Sequence, residues 1–310
     1  MTQCVGHARP GWHRLARLAP RCRPREVLAG LLMGQRITVV DAFAHVAFAG
    51  NPAGVCVLTE PTTDAWMQSV AQEMKHSETA FCIPLQDGSF KLRWFTPGGE
   101  VRLCGHATLA AAHVLWEEGW LEHRKTARFS TLSGELTAAP LGRVIELDFP
   151  ARPPDEVEAP AGLLDSLGVT PSWVGRDVDD YVVLLANEAA VKACQPDFDA
   201  LRSVETRGVI ITGPAEQDDV DFVSRFFAPR LGIDEDPVTG SAHCCLAPFW
   251  AERLDKPQMT ARQLSARGGE LEVELAGDRV KLRGTCVTVL RGSLTESAPT
   301  TSSWSRPPPA

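Results

Sequence analysis

The sequence predicts an α+β fold of two similar halves, each a curved β-sheet wrapped around one central helix. The first observation behind this is an internal repeat. Residues 95–97 read Phe-Thr-Pro and residues 227–229 read Phe-Ala-Pro, and each triplet closes a strand-like segment, 90–95 and 221–227. Each then leads to a glycine and a short apolar stretch ending near a tryptophan, Gly105 to Trp116 and Gly240 to Trp250. Gly-Glu-Leu follows at 134–136 and 269–271, so Glu135 and Glu270 each lie 30 residues beyond their glycine. Four matches in one order, offset by about 135 residues, indicate two copies of one fold. The second observation is the character of the stretches after the glycines. Ala107, Leu109, Ala110, Ala111, Ala112, Val114 and Leu115 leave almost no polar face, and a helix apolar all round must be buried all round. The third is period-two alternation in the surrounding segments, clearest from Val144 to Phe149.

In chain order, strands are expected in the first half at 37–43, 54–58, 79–83, 90–95, 128–132, 134–138 and 143–149. In the second they are expected at 180–186, 208–212, 221–227, 271–275, 279–283 and 287–291. One amphipathic helix over 63–75 puts Met67, Val70, Ala71 and Met74 on one face, with Thr63 as its N-cap. The Pro-containing stretch from 150 to 154, and the acidic residues after it, read as the linker. The halves are then 35–150 and 160–294. Residues 1–34 carry Arg14, Arg17, Arg21, Arg23 and Arg25 against the single acid Glu26 and show no secretory pattern. They are expected to be a disordered leader, or one that precedes a true start at Met33. Residues 295–310, rich in Ser, Thr and Pro, are expected to be a disordered tail.

Of the 310 residues, 44% are hydrophobic and 23% charged, enough to build a sizeable core. The net charge of −8 argues against non-specific nucleic-acid binding. No apolar stretch is long enough for a transmembrane helix, which needs about 18 residues. The nine cysteines are odd in number, scattered and free of any Cys-x-x-Cys pair, which points to a reduced cytoplasmic protein without a zinc site.

The starts of the two apolar helices carry the chemistry. Gly105 and Gly240 let backbone approach a ligand, and first-turn N–H groups lack intrahelical partners, so two such ends facing one cleft would hold a carboxylate without Lys or Arg. His106, at a helix N-terminus, tends to stay neutral and to donate to a ligand. Asp236 precedes the second helix, where it caps or orients a partner. Glu78 enters an apolar strand, and burial there would lift its pKa toward neutrality and make it a usable acid/base. Cys104, directly before Gly105, is a possible alternative base. The matching place in the second copy is Thr239, so a two-thiol racemisation lacks its second thiol.

These residues sit in segments that resemble the PhzF-like phenazine-biosynthesis family. The matching segments are Asp41-Ala42-Phe43, Phe48-Ala49-Gly50-Asn51-Pro52-Ala53, Ser77-Glu78-Thr79-Ala80-Phe81, Arg93-Trp94-Phe95-Thr96-Pro97 and Cys104-Gly105-His106-Ala107-Thr108. In the second half they are Arg225-Phe226-Phe227-Ala228-Pro229, Glu235-Asp236-Pro237-Val238-Thr239-Gly240-Ser241-Ala242-His243 and Arg267-Gly268-Gly269-Glu270-Leu271. The resemblance implies a diaminopimelate-epimerase-like fold of two pseudo-symmetric domains, each a barrel-like sheet around a helix. It implies a homodimeric isomerase that moves a proton on a small carboxylate with neither metal nor cofactor. By matched motif Glu78 is the proton-shuttling acid/base and His106 and Asp236 its polar partners. The backbone at Gly105, Gly240 and Ser241 is the carboxylate cradle. Two other readings stay open: a one-thiol racemase or epimerase using Cys104, and a non-catalytic metabolite-binding or interaction protein on the same fold.

Overall fold

The structure, a computed structural model, describes residues 34–301. The first half contains strands β1 (Arg36–Ala42), β2 (Asn51–Val57), β3 (Glu78–Pro84), β4 (Phe90–Thr96), β5 (Gly99–Val101), β6 (Ala127–Thr131), β7 (Gly134–Leu141) and β8 (Val144–Pro150). Its helices are α1 (Asp64–Met74) and α2 (Gly105–Glu117). The second half contains β9 (Asp155–Glu156), β10 (Trp173–Arg176), β11 (Asp180–Leu184), β12 (Gly208–Pro214), β13 (Phe222–Ala228), β14 (Ile233–Asp236), β15 (Gln258–Gln263), β16 (Gly269–Ala276), β17 (Arg279–Gly284) and β18 (Cys286–Ser293). Three short helices, α3 (Leu163–Leu167), α4 (Glu188–Ala193) and α5 (Phe198–Leu201), precede the long α6 (Gly240–Leu254).

The repeat extends to strand direction. β1 runs antiparallel to β2, β2 parallel to β3, β3 antiparallel to β4, β4 parallel to β6, and β6, β7 and β8 antiparallel in turn. The series β10, β11, β12, β13, β15, β16 and β17 follows the same order of directions. The short strands β5 and β14 each lie antiparallel to the fourth strand of their series, β4 or β13. The two series meet where β8 pairs antiparallel with β17, and β18 crosses back to pair with β1.

Side-chain periodicity explains how one strand serves two layers. Successive residues of a strand point to opposite faces. In β3, Ala80 and Cys82 join the cluster around α2, while Phe81 and Ile83 join a smaller one with Met67, Val70 and Ala71 of α1. The strand is therefore buried from Thr79 to Ile83, with Glu78 at its partly open start. Helices α2 and α6 share the main cluster, and nearly every residue of α2 from Gly105 to Trp116 is buried. Within α6, Pro248 lacks the N–H that would bond the carbonyl of Cys244. Arg152 N–H donates to that carbonyl instead at 3.0 Å, which satisfies the orphaned acceptor and ties the linker to α6.

Several segments differ from expectation. Strand β15 was not anticipated, because Gln258-Met-Thr-Ala-Arg-Gln263 offers only Met259 and Ala261 as apolar signal. Its third inward residue is the polar Gln263, which is fully buried through hydrogen bonds. The short strands β5, β9, β10 and β14 carried too few residues to show a period. The expected leader lies outside the described residues except for Gly34. The tail expected to lack structure from 295 onward is fixed as far as Thr301. Gln35 N–H reaches the Glu296 carbonyl, Thr62 forms a bridge with Thr300, and Thr301 N–H donates to Pro61. These backbone bonds, together with Ala298 packing on the α1 cluster, outweigh a Ser/Thr/Pro composition that suggests disorder. Residues 302–310 lie outside the described residues. No helix among the described residues is long and apolar enough to cross a membrane.

Thr63 has extended backbone, and its hydroxyl accepts from Trp66 N–H at 3.2 Å, so it is the N-cap of α1. Thr63→Ala is expected to lower the unfolding free energy by about 1 kcal/mol in urea titration, with Thr63→Ser retaining most of it.

Candidate active site

The site forms where the first turns of α2 and α6 meet. Cys104 and Thr239 precede these helices with extended backbone, and neither supplies a side-chain cap. A Cβ built on either Gly105 or Gly240 would lie 3.1 Å from the other glycine's Cα, so the tips touch and any larger residue would push them apart. Beside the contact lies a cavity of about 600 Å³. Glu78, Cys104, Gly105, His106, Asp236, Gly240 and Ser241 all line it, so every candidate residue from the sequence faces one space.

The start of β3 places Glu78 against the first turn of α2. Its Oε2 lies 3.3 Å from His106 Nε2, and the Glu78 side chain is 14% exposed. Three groups converge on Asp236: the Thr239 hydroxyl, Asn51 Nδ2 at 2.9 Å and the Ser77 hydroxyl at 3.1 Å. Burial raises the pKa of both carboxyls. The three donors to Asp236 oppose the rise there. Burial lifts Glu78 to about 8, with repulsion from Asp236 adding to it and Cys104 and Arg207 opposing it.

His106 is neutral, its pKa pushed down to about 3 by burial and by the nearby His76. Its tautomer follows from its neighbours. The Asn51 amide nitrogen faces Nδ1 at 3.1 Å and the Cys104 thiol faces it at 3.5 Å; both groups can donate, so Nδ1 accepts and Nε2 carries the hydrogen. That buried Nε2–H makes no hydrogen bond to the described residues and points toward Glu78 and the cavity.

The ligand-type atoms of Glu78, Cys104 and His106 all lie within 4.8 Å of one another, a spacing a metal ion could use. The surroundings do not fit one. A metal at Nε2 needs a lone pair there and a hydrogen on Nδ1, which would then confront the Asn51 NH₂. The Cys104 thiol is pushed well above its ordinary pKa, chiefly by burial and also by Glu78, so it resists becoming a thiolate ligand or a base.

Four contributors were not singled out in the sequence. Asn51 was visible only as part of a matched segment, yet its amide nitrogen lies within hydrogen-bond reach of His106, Asp236 and the Val238 carbonyl across the two halves. Ser77 binds Asp236, and buried Gln263 accepts from Thr239 N–H and donates to the Asp236 carbonyl. Arg207 is held by Asp180 and donates to Ser241 Oγ at 3.1 Å. A cation therefore stands beside a cradle expected to need none. Its partners lie 27 and 34 residues away in sequence, at distances no local pattern reveals.

Two pseudo-symmetric halves, a buried acid and two helix tips define an isomerase-class enzyme of diaminopimelate-epimerase-like fold. Residues 40–292 match the family described as phenazine biosynthesis-like protein, PhzC–PhzF, and the chain belongs to that family. It is 51% identical over 264 residues to an uncharacterised isomerase of Halalkalibacterium halodurans, covering 85% of this chain and 99% of that one. It is 41% identical over 284 residues to the human phenazine biosynthesis-like domain-containing protein, covering 84% and 98%. A crystal structure of a PhzF-family protein from Enterococcus faecalis superposes with a TM-score of 0.80 at 40% identity, covering 84% of this chain and 99% of that one.

Gly240→Ala is expected to destabilise the fold by about 1–3 kcal/mol, because the new methyl meets the backbone of Gly105 rather than a side chain that can swing away. Thermal or urea unfolding checks this. The raised pKa of Glu78 also sets a pH dependence. Between its ordinary value of 4.5 and about 8 the unfolded chain releases this proton and the folded chain keeps it, so this residue's contribution to stability falls as pH rises through that window. Glu78→Gln removes the effect. Its stability relative to the wild type is expected to increase from pH 5 to pH 8 in paired urea titrations.

Proposed function

We propose that the enzyme shifts a proton between two carbons of a small cyclic or amino carboxylate, with Glu78 as the acid/base. The observation that carries this reading is a largely buried carboxyl, lifted by burial to a pKa of about 8, beside two uncapped helix tips. The first-turn N–H groups at Gly105, Gly240 and Ser241 receive the substrate carboxylate, helped by the positive ends of both helix dipoles. The Arg207 guanidinium adds charge beside Ser241. Binding removes water from the cavity and places the reacting carbons against Glu78.

Glu78 delivers its proton to one carbon of a double bond. Breaking a C–H bond at a second carbon returns a proton to the same carboxyl, and the electron pair of that bond becomes the new double bond. The step balances without an electron acceptor. His106 Nε2–H faces the Glu78 carboxylate as it forms and stabilises it, and Asn51 and Cys104 at Nδ1 keep that hydrogen in place. Repulsion from Asp236 helps to keep the proton on Glu78 between turnovers. The Cys104 reading has less support, since burial pushes the thiol well above its ordinary pKa and the matching place before the other helix is Thr239. We place the enzyme in the cytoplasm on its free thiols, there being no disulfide among the described residues.

Glu78→Gln keeps shape and hydrogen bonding but cannot cycle a proton. Incubation with cyclic and amino carboxylates in D₂O, followed by NMR, is expected to show deuterium entering a substrate carbon with the wild type. With Glu78→Gln that rate is expected to drop about 10²- to 10⁴-fold while ligand affinity stays close to wild type. A Gln variant with an unchanged rate removes Glu78 from this role.

A further inference from the structure

The cavity is larger than the chemistry assigned to its inner end. One carboxylate and its reacting carbons occupy the space at the two glycines, yet about 600 Å³ is available, well within the roughly 300–1,000 Å³ of sites that enclose a whole drug-sized ligand. The cavity lining includes apolar side chains from both halves, Val101 and Leu103 from one and Phe226, Ala228 and Ile233 from the other. At its rim stands Arg102.

Three cations line this cavity. Arg152 is paired with Asp179 at 2.6 Å and Arg207 with Asp180. Arg102 is exposed, and among the described residues no carboxylate pairs with it, so its charge alone is unmatched. It also lies close to the cradle. Arg102 lies three positions before Gly105, at most about 10 Å of extended chain, and a guanidinium on a flexible stem reaches back over part of that span. The gap suits an apolar ring or a short unsaturated chain.

We propose that Arg102 is a specificity-determining residue that reads a second anionic group, so that the substrate is a dianion with an apolar body between its two charges. This rests on the carboxylate cradle proposed above: the reacting carboxylate sits at Gly105 and Gly240, the body lies along Leu103 and Phe226, and the distal anion meets the guanidinium at the rim. A planar guanidinium pairs with a carboxylate through two parallel N–H donors. Because Arg102 is solvated, the pair selects modestly, about fivefold.

The test uses benzoate against its dicarboxylate counterparts isophthalate and terephthalate, measured by isothermal titration calorimetry on the full chain and on Arg102→Gln. At least one dicarboxylate is expected to bind the wild type about fivefold more tightly than benzoate. In Arg102→Gln that preference is expected to shrink to within about twofold, with benzoate affinity and the thermal midpoint unchanged. A preference that survives in Arg102→Gln, or benzoate binding as tightly as both dicarboxylates, overturns the role of Arg102 and leaves the cradle standing. Failure of all three probes to bind the wild type overturns the cradle, and this inference with it.

Discussion

The close contact of Gly105 with Gly240 is the constraint on which the rest of the site depends. Two helices can bring their N-terminal turns tip to tip only if neither carries a side chain at the crossing. That contact turns two ordinary helix ends into one locus of unpaired amides. Both helices have buried N-terminal turns, each held against the strands of its own half. The near-identical series of strand directions in the two halves is the scaffold that delivers the two tips in mirrored settings.

The symmetry ends at the side chains, and the chemistry lies in that difference. Cys104 and Thr239 occupy matching places before the two helices, but the first contacts His106 and Glu78 while the second hands its hydroxyl to Asp236. Asn51 links the two by facing His106 on one side and Asp236 on the other. One carboxyl, Asp236, is rich in donors, and the other, Glu78, is poor in them. Burial pushes both pKa values up, and the donors around Asp236 oppose the rise there, so the two neighbouring acids sit in unlike environments.

Much of this was legible in the sequence, for definite reasons. The helix after Gly105 was readable because its apolar residues leave almost no polar face, and the repeat because glycine, tryptophan and Gly-Glu-Leu recur in the same order, with Gly-Glu-Leu at the same distance from each glycine. Glu78 stood out as an acid at the mouth of an apolar strand. What stayed hidden depends on long-range pairing. Asn51 acts across 185 residues to Asp236, and Arg207 is placed by partners on other elements. Strand β15 buries a glutamine whose partners are the backbone around Asp236, so its inward face does not read as apolar.

The return of β18 to β1 bears on how the chain is made. The first strand lies between β2 and β18, and β8 waits for β17, so the first half has both flanks unpartnered until the last part of the protein exists. At about 5–20 residues per second, a ribosome needs on the order of ten seconds to travel from the end of β8 to β18. Throughout that interval an incomplete sheet with exposed edges must be kept from pairing with its neighbours, which makes nascent-chain protection part of this architecture's cost.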